Sequence, residues 1–151
     1  KGFSMSGGRL GYAGGPAALM AKIGLMFNTI YTCVPPFIQY AGISALEGDR
    51  SLMRQRVEHY RQLRDGMVGA LNEIPGVSCP TPKGAIYAFP NIKGTGLSSQ
   101  AFAKTVLEKA GVATVPGTCF GPSGEGYVRF CYLREETLIR EACAKMKLAL
   151  Q

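Results

Sequence analysis

The first sixteen residues hold the side chains that could most readily do chemistry. Lys1 and Arg9 lie eight residues apart, and the small-residue segment 4–8 lies between them. A lysine amine can form a Schiff base with an aldehyde cofactor, and an arginine beside hydroxyls and glycine amides can bind a phosphate through two hydrogen bonds. The residues alone favour a plainer interpretation, a glycine-rich turn that carries two surface cations.

Arg129 is the second candidate for chemistry. It lies between Val128 and Phe130 in a segment rich in β-branched and aromatic residues, which predicts a strand. Side chains alternate between the two faces of a strand, so Arg129 must face one side of the sheet. On the residues alone, a surface cation on an edge strand is the favoured interpretation.

The composition limits the classes of protein that this sequence can form. The chain has 151 residues, of which 46% are hydrophobic and 18% are charged, and this excludes a disordered tail. The length suits one ordinary domain, or one and a half small ones. The formal charge of +7 is spread along the chain without a basic tract, so we expect no nucleic-acid partner. Diffuse positive charge suits small anions such as amino acids, 2-oxo acids and phosphate esters.

The cysteine and histidine content bears on metal binding and on the cellular compartment, and the length of the apolar runs bears on membrane insertion. The five cysteines have no CxxC spacing, and His59 is the single histidine, so we expect no zinc cluster and no Cys/His catalytic pair. We expect His59 to be structural. Buried free thiols in a reducing compartment are the favoured state, and this favours the cytoplasm. No apolar run approaches the roughly 18 residues that span a bilayer, so we expect no membrane partner.

Apolar spacing and end signals predict five helices. Pro16 and Pro36 mark the starts of the first two, Asp49 or Ser51 caps the third, and Gly111 ends the fourth. The predicted helices cover residues 17–31, 36–48, about 50–73, 100–110 and 135–150.

Short β-branched and aromatic runs predict the strands. These are residues 9–13, 77–79, 84–90, 112–115 and 127–133. Residues 76–151 therefore follow the order β-β-α-β-β-α, which predicts helices packed on a small sheet.

The opening segment KGFSMSGGRLGYAGGP resembles the segment that begins at the cofactor lysine of class I/II aminotransferases of fold type I. The family pattern has Ser-Lys, an aromatic residue, Met-Thr-Gly-Trp-Arg, an apolar residue and Gly-Tyr. Ser6 stands where threonine is usual, and Gly8 stands where tryptophan is common, which would leave the wall beside the cofactor phosphate more open. The residues that fit the pattern are Lys1, Phe3, Met5, Gly7, Arg9, Gly11 and Tyr12.

Three later segments extend the resemblance to nearly the whole chain. GAIYAFPNI is similar to a strand of the family's small domain, and VATVPGTCFG resembles its V-x-x-x-PG-x-x-FG loop. GYVRFCYL resembles the strand whose arginine binds the α-carboxylate of the substrate. Four motifs in the family order are specific in combination.

The resemblance implies a role for each candidate residue. Pyridoxal 5'-phosphate is the implied cofactor, and Lys1 would form the Schiff base with it and then act as the proton shuttle. Arg9 would bind the cofactor phosphate, with Ser6 at most as a helper. Arg129 would bind the substrate carboxylate, and no metal is implied. Tyr87 would line the substrate entrance, with packing in the core as an equal alternative.

The resemblance also implies the fold class and the organisation of the chain. The fold class is α/β, and the chain corresponds to the C-terminal part of the enzyme. Residues 1–48 would be the tail of the large cofactor-binding domain, 49–73 an interdomain helix and 74–151 the small α+β domain. The parent would transfer an amino group between an amino acid and a 2-oxo acid as a homodimer. Other residues that the family needs for the cofactor precede the lysine, so we expect the isolated chain to be inactive.

Two other classes of function stay open at this point. A β-lyase, a cyclopropane-forming synthase or the aminotransferase-like half of a transcription regulator would share these motifs. The chain could also be a non-catalytic folded fragment that binds anions weakly.

Overall fold

Five helices form most of the chain. The computed structural model describes residues 2–151. Each predicted helix is confirmed, with ends that differ from the prediction by one residue at most. The helices are α1 (Ala17–Ile30), α2 (Pro36–Glu47), α3 (Ser51–Asn72), α4 (Ser99–Ala110) and α5 (Glu136–Ala149).

Local signals set the helix ends. Pro36 occupies the first turn of α2, where its missing N–H costs no hydrogen bond. At the start of α4 the Ser98 side chain accepts a hydrogen bond from the Ala101 N–H at 3.2 Å. Gly111 ends α4 in the left-handed conformation, with φ at 68°. These ends were predictable because they depend on neighbours in the sequence.

A three-stranded antiparallel sheet lies in the C-terminal part of the chain. The strands are β1 (Tyr87–Ala88), β2 (Val115–Pro116) and β3 (Val128–Cys131), in the order β1-β3-β2. Tyr87 pairs with Cys131, and Val115 pairs with Arg129. The central strand β3 is therefore flanked on both sides.

The strands are shorter than predicted, and two of the five predicted strands, residues 9–13 and 77–79, are wrong. Residues 9–13 form no strand, because the backbone passes through a 3-10 turn at Ser6–Gly8 and then turns left-handed at Arg9, with φ at 51°. Residues 77–79 contribute only a bridge from Ser78 to Asn91. The predicted strand 84–90 is paired only over β1, because Ala85 is also left-handed, with φ at 63°.

The chain divides into two compact units, and the division falls inside α3. The first unit ends at Gln55, and the second is Arg56–Gln151. The division lies within the predicted interdomain helix 49–73 and at neither of its ends. The assignment of residues 1–48, 49–73 and 74–151 to parts of a larger enzyme stays a prediction.

The core of the described chain lies in the second unit. Val128 and Phe130 on β3 are buried, whereas Arg129 is half-buried and Cys131 is exposed. This alternation gives the sheet one face in the core and one open face. α4 and α5 pack against each other, and their buried residues include Phe102, Val106, Ile139 and Met146.

The first unit buries little of its apolar surface. α1 has no buried residue, and Gly42 is the buried residue of α2. The predicted helices are present, but apolar side chains such as Ile43 and Leu46 of α2 remain exposed. The helices carry apolar stripes for which the described residues provide no core.

The cysteines only partly match the expectation of buried thiols. Cys79 and Cys143 are buried, whereas Cys33, Cys119 and Cys131 are exposed, and all five are free. Burial raises the pKa of Cys143 to about 11. Across residues 2–151, no helix is long and apolar enough to cross a membrane. The same residues contain no His, Cys, Asp and Glu group that could hold a metal.

Candidate functional site

Arg9 and Ser6 lie together at the surface of the first unit. The 3-10 turn Ser6–Gly8 places Arg9 directly after it, and the guanidinium of Arg9 donates a hydrogen bond to the Ser6 carbonyl at 3.2 Å. Both residues are exposed. The remaining guanidinium donors and the serine hydroxyl can therefore reach a ligand. Lys1, the third candidate in this segment, lies outside the described residues.

A groove of about 940 Å³ runs along this part of the first unit. Arg9 and Ser6 line it together with apolar and aromatic side chains such as Phe3, Tyr12 and Phe27. A mostly apolar wall with a few polar groups is typical of small-molecule sites.

The groove residues fit the implied cofactor in type. A guanidinium and a hydroxyl are donors that bind phosphate, and aromatic and apolar walls suit an aromatic ring. The volume exceeds that of a single pyridine ring with its phosphate. Arg9 and Ser6 are therefore candidate ligands of pyridoxal phosphate.

Arg129 lies on the open face of the sheet in the second unit, flanked by two aromatic rings. Its guanidinium carbon lies 4.4 Å from the centre of the Tyr87 ring and 4.8 Å from the centre of the Phe120 ring. Tyr87 belongs to β1, whereas Phe120 follows β2, so the rings approach from opposite sides of β3. The predicted strand 127–133 explains why Arg129 lies on one face of the sheet, but not which rings surround it.

The hydrogen-bonding capacity of Arg129 is unused within residues 2–151. Arg64 and Arg129 are half-buried, whereas the other arginines are exposed. The Arg64 guanidinium bonds to Asp65 at 2.7 Å and to the Pro82 carbonyl at 3.3 Å. Arg129 has no such acceptor among the described residues. A half-buried guanidinium with free donors is suited to an anionic ligand.

Tyr87 lies against Arg129 and not in the core. It is half-buried, whereas its neighbour Ala88 is fully buried. The turn before it is anchored by Tyr132, whose hydroxyl donates to the Ala85 carbonyl at 2.7 Å. Burial raises the pKa of Tyr132, so this hydroxyl keeps its proton at neutral pH. The structure thus places Tyr87 beside the candidate carboxylate-binding residue.

Phe120 is the residue of this cluster that sequence reasoning missed. Its loop resembles the V-x-x-x-PG-x-x-FG loop of the family, but that resemblance implies no binding or catalytic role for the phenylalanine. The ring also meets Phe89 edge-on at 5.9 Å, and Phe89 stacks on Tyr127 at 5.5 Å. The half-buried Tyr87 ring and the exposed Phe120 ring lie beside the same arginine because strand pairing brings them together.

The class of protein follows from the fold together with a comparison of families. The family model described as "Aminotransferase class I and II" matches residues 1–146. The chain belongs to this family, and its fold is that of the C-terminal part of a fold type I aminotransferase.

Individual relatives cover nearly the whole chain. It is 39% identical to the aspartate aminotransferase of Pyrococcus horikoshii and 39% identical to the aromatic-amino-acid aminotransferase 2 of Thermococcus litoralis, over 100% of its length in both cases. The crystal structure of the aspartate aminotransferase from Rhizobium meliloti superposes with a TM-score of 0.93 at 32% identity, over 99% of this chain.

The relatives are much longer than this chain. It spans 39% of each of the two relatives and 40% of the chain in the crystal structure. The names of the relatives refer to aspartate and to aromatic amino acids, so the relatives differ from one another in the substrate that they are named for.

Proposed function

We propose that the protein to which this chain belongs transfers an amino group between an amino acid and a 2-oxo acid with pyridoxal 5'-phosphate as cofactor. The observation that carries the proposal is Arg129, which is half-buried beside Tyr87 and Phe120 and has no acceptor among the described residues. The amino acid and the 2-oxo acid share one feature, a carboxylate next to the reacting carbon. One arginine fork can therefore bind both substrates of the reaction.

The first unit supplies candidate contacts to the cofactor. Arg9 and Ser6 would hold the phosphate, and the Lys1 amine would hold the aldehyde end. Pyridoxal phosphate, when bound, supplies an electron-withdrawing ring that stabilises negative charge on the substrate. Once the amino group of the substrate replaces Lys1 at the aldehyde, the freed Nζ atom of Lys1 would take the proton from the substrate Cα, and Arg129 would keep the carboxylate in place. Orientation by a bidentate fork limits the reaction to one geometry.

The isolated chain is proposed to be inactive. Support comes from its length, which is about two fifths of its relatives. We further propose a homodimer in the intact protein, supported by the exposed apolar side chains of α1 and α2. A cytoplasmic location is proposed on the free state of all five cysteines.

Product analysis of the full-length protein tests the proposed reaction. The purified protein would be incubated with a panel of amino acids and one 2-oxo acid. We expect the 2-oxo acid of the donor and the amino acid of the acceptor in equal amounts. Release of ammonia without need for an acceptor would instead identify a lyase, and formation of neither product would overturn the proposal.

The alternative of a non-catalytic, anion-binding fragment has its own test. The 151-residue chain would be titrated with pyridoxal phosphate and followed by absorption and by mass. We expect at most weak binding and no turnover with any donor. Turnover by this chain alone would contradict the proposal that it needs the remainder of a longer protein.

A further inference from the structure

Arg129 is flanked by two rings that the sequence places far from each other. Tyr87 precedes it by 42 positions in a different strand, and Phe120 comes from the 3-10 turn Gly117–Phe120 after β2. We propose that Tyr87 and Phe120 form an aromatic clamp that fixes the guanidinium of Arg129 for carboxylate binding. This inference rests on the proposed function, and it assigns both aromatic residues as positioning residues.

The clamp would lower the entropy cost of ordering an arginine side chain when it binds a carboxylate. An unrestrained arginine side chain samples many rotamers, so ordering it on binding lowers affinity. A salt bridge to a protein carboxylate would hold the side chain, but it would also occupy the fork. Aromatic rings attract the cation through their π-faces and leave its N–H donors free. Arg64, which is bonded to Asp65 and Pro82, illustrates the occupied case.

The ring contacts of Phe120 are with Arg129 and Phe89. Its side chain is 54% exposed, and the ring lies outside the core of the second unit. The ring is nevertheless held in place by the edge-on contact with Phe89, which in turn stacks on Tyr127. Tyr87 is held from the other side by its pairing with Cys131. The Phe120 ring and the Tyr87 backbone are thus held by contacts that do not involve Arg129.

Nuclear magnetic resonance on this chain tests the geometry. Protons near ring faces are shifted upfield, so the Arg129 Hε resonance should lie upfield of the other arginine Hε resonances. Phe120→Leu or Tyr87→Leu should each move it downfield, whereas Phe120→Tyr and Tyr87→Phe should keep it. Tyr60→Leu is the matched control, because it removes a ring of the same unit that meets His59, at 6.0 Å, and not Arg129.

Steady-state kinetics of the full-length protein test the function of the clamp. Phe120→Leu and Tyr87→Leu should each raise KM for the amino acid and for the 2-oxo acid by roughly three- to tenfold, with kcat little changed. The Phe120→Tyr and Tyr87→Phe variants should restore KM. The Tyr60→Leu control should keep the original KM. Circular dichroism would show whether each variant is folded.

The outcomes separate this inference from the proposed function. If Arg129→Lys raises KM but neither leucine variant does, the clamp is wrong and the carboxylate role stands. If the Hε resonance is not upfield in the original chain, the clamp is wrong irrespective of kinetics. If Arg129→Lys leaves KM unchanged for both substrates, the proposed role of Arg129 fails and the clamp fails with it.

Discussion

A lysine at position 129 would keep the positive charge of Arg129 but lose its planar fork. A single ammonium cannot make two parallel hydrogen bonds to a carboxylate. We expect Arg129→Lys in the full-length protein to raise KM for the amino acid by about 10- to 100-fold, the loss of about 1.5–3 kcal/mol of charge-assisted bonding. Steady-state kinetics with one donor and a saturating acceptor measure it.

The control for this substitution is a neighbouring arginine. Arg134 is exposed, and Arg134→Lys should leave KM unchanged. An unchanged KM in Arg129→Lys would remove Arg129 from the substrate site.

Lys1 is tested by light absorption. A pyridoxal cofactor bonded to a lysine amine absorbs visible light, so the full-length protein should be yellow. We expect Lys1→Ala to abolish the band, because alanine has no amine to bond the aldehyde. Lys22→Ala, at an exposed position of α1, should keep the band. A band that persists in Lys1→Ala would assign the cofactor bond to another residue.

At the scale of elements, a distant carboxylate caps α4. Glu125 accepts hydrogen bonds from the Ser99 N–H and the Ser99 hydroxyl, both at 2.8 Å. These bonds, that from the backbone N–H first, lower the pKa of Glu125 below its ordinary value of 4.5. The carboxylate also lies at the positive end of the helix dipole. The loop before β3 is thereby tied to the start of α4.

This cap predicts a pH-dependent stability. The pKa of Glu125 is lower in the folded chain than in the unfolded one, so the unfolded chain takes up a proton first as the pH falls. The stabilisation is fully present above pH 4.5 and is lost as the pH falls through the lowered value. Glu125→Gln should weaken the pH dependence of the urea midpoint below about pH 4.5.

A carboxylate on α4 itself, Glu108, is the control for the cap. Glu108 forms an exposed ion pair with Lys104 at 3.9 Å, which contributes little to stability. Glu108→Gln should therefore keep the original pH profile. Equal profiles for Glu125→Gln and the original chain would mean that the cap does not operate in solution.

At the scale of the whole molecule, the two units differ in how much they bury. The second unit has a continuous core, whereas α1 and α2 expose large apolar side chains such as Leu25, Phe37 and Tyr40, each 71% exposed. Helices derive most of their stability from burying an apolar face. The isolated chain should therefore hold α1 and α2 less firmly than α4 and α5.

Hydrogen exchange measures this difference directly. We expect amides of α1 and α2 to exchange faster than those of α4 and α5 in the isolated chain, because local opening costs less free energy where little is buried. In the full-length protein the same helices should become protected. Equal protection of all four helices in the isolated chain would contradict this account.

The sequence by itself determined the helices and the family. Helix ends depend on residues within one turn, such as Ser98 before α4 and Gly111 after it, so the sequence shows them directly. Four ordered motifs were sufficient for the resemblance, which the family match over residues 1–146 confirmed. Arg9 and Arg129 were also identified as candidate binding residues from the sequence alone.

Only the tertiary structure decided the strand lengths and the surroundings of Arg129. The left-handed backbone at Ala85, held by the Tyr132 hydroxyl, shortens a strand that local composition made long. Phe120 and Tyr87 meet the same guanidinium because β1 and β2 pair with opposite sides of β3. Strand pairing joins residues that are distant in sequence, so no local pattern could identify the two rings that flank Arg129.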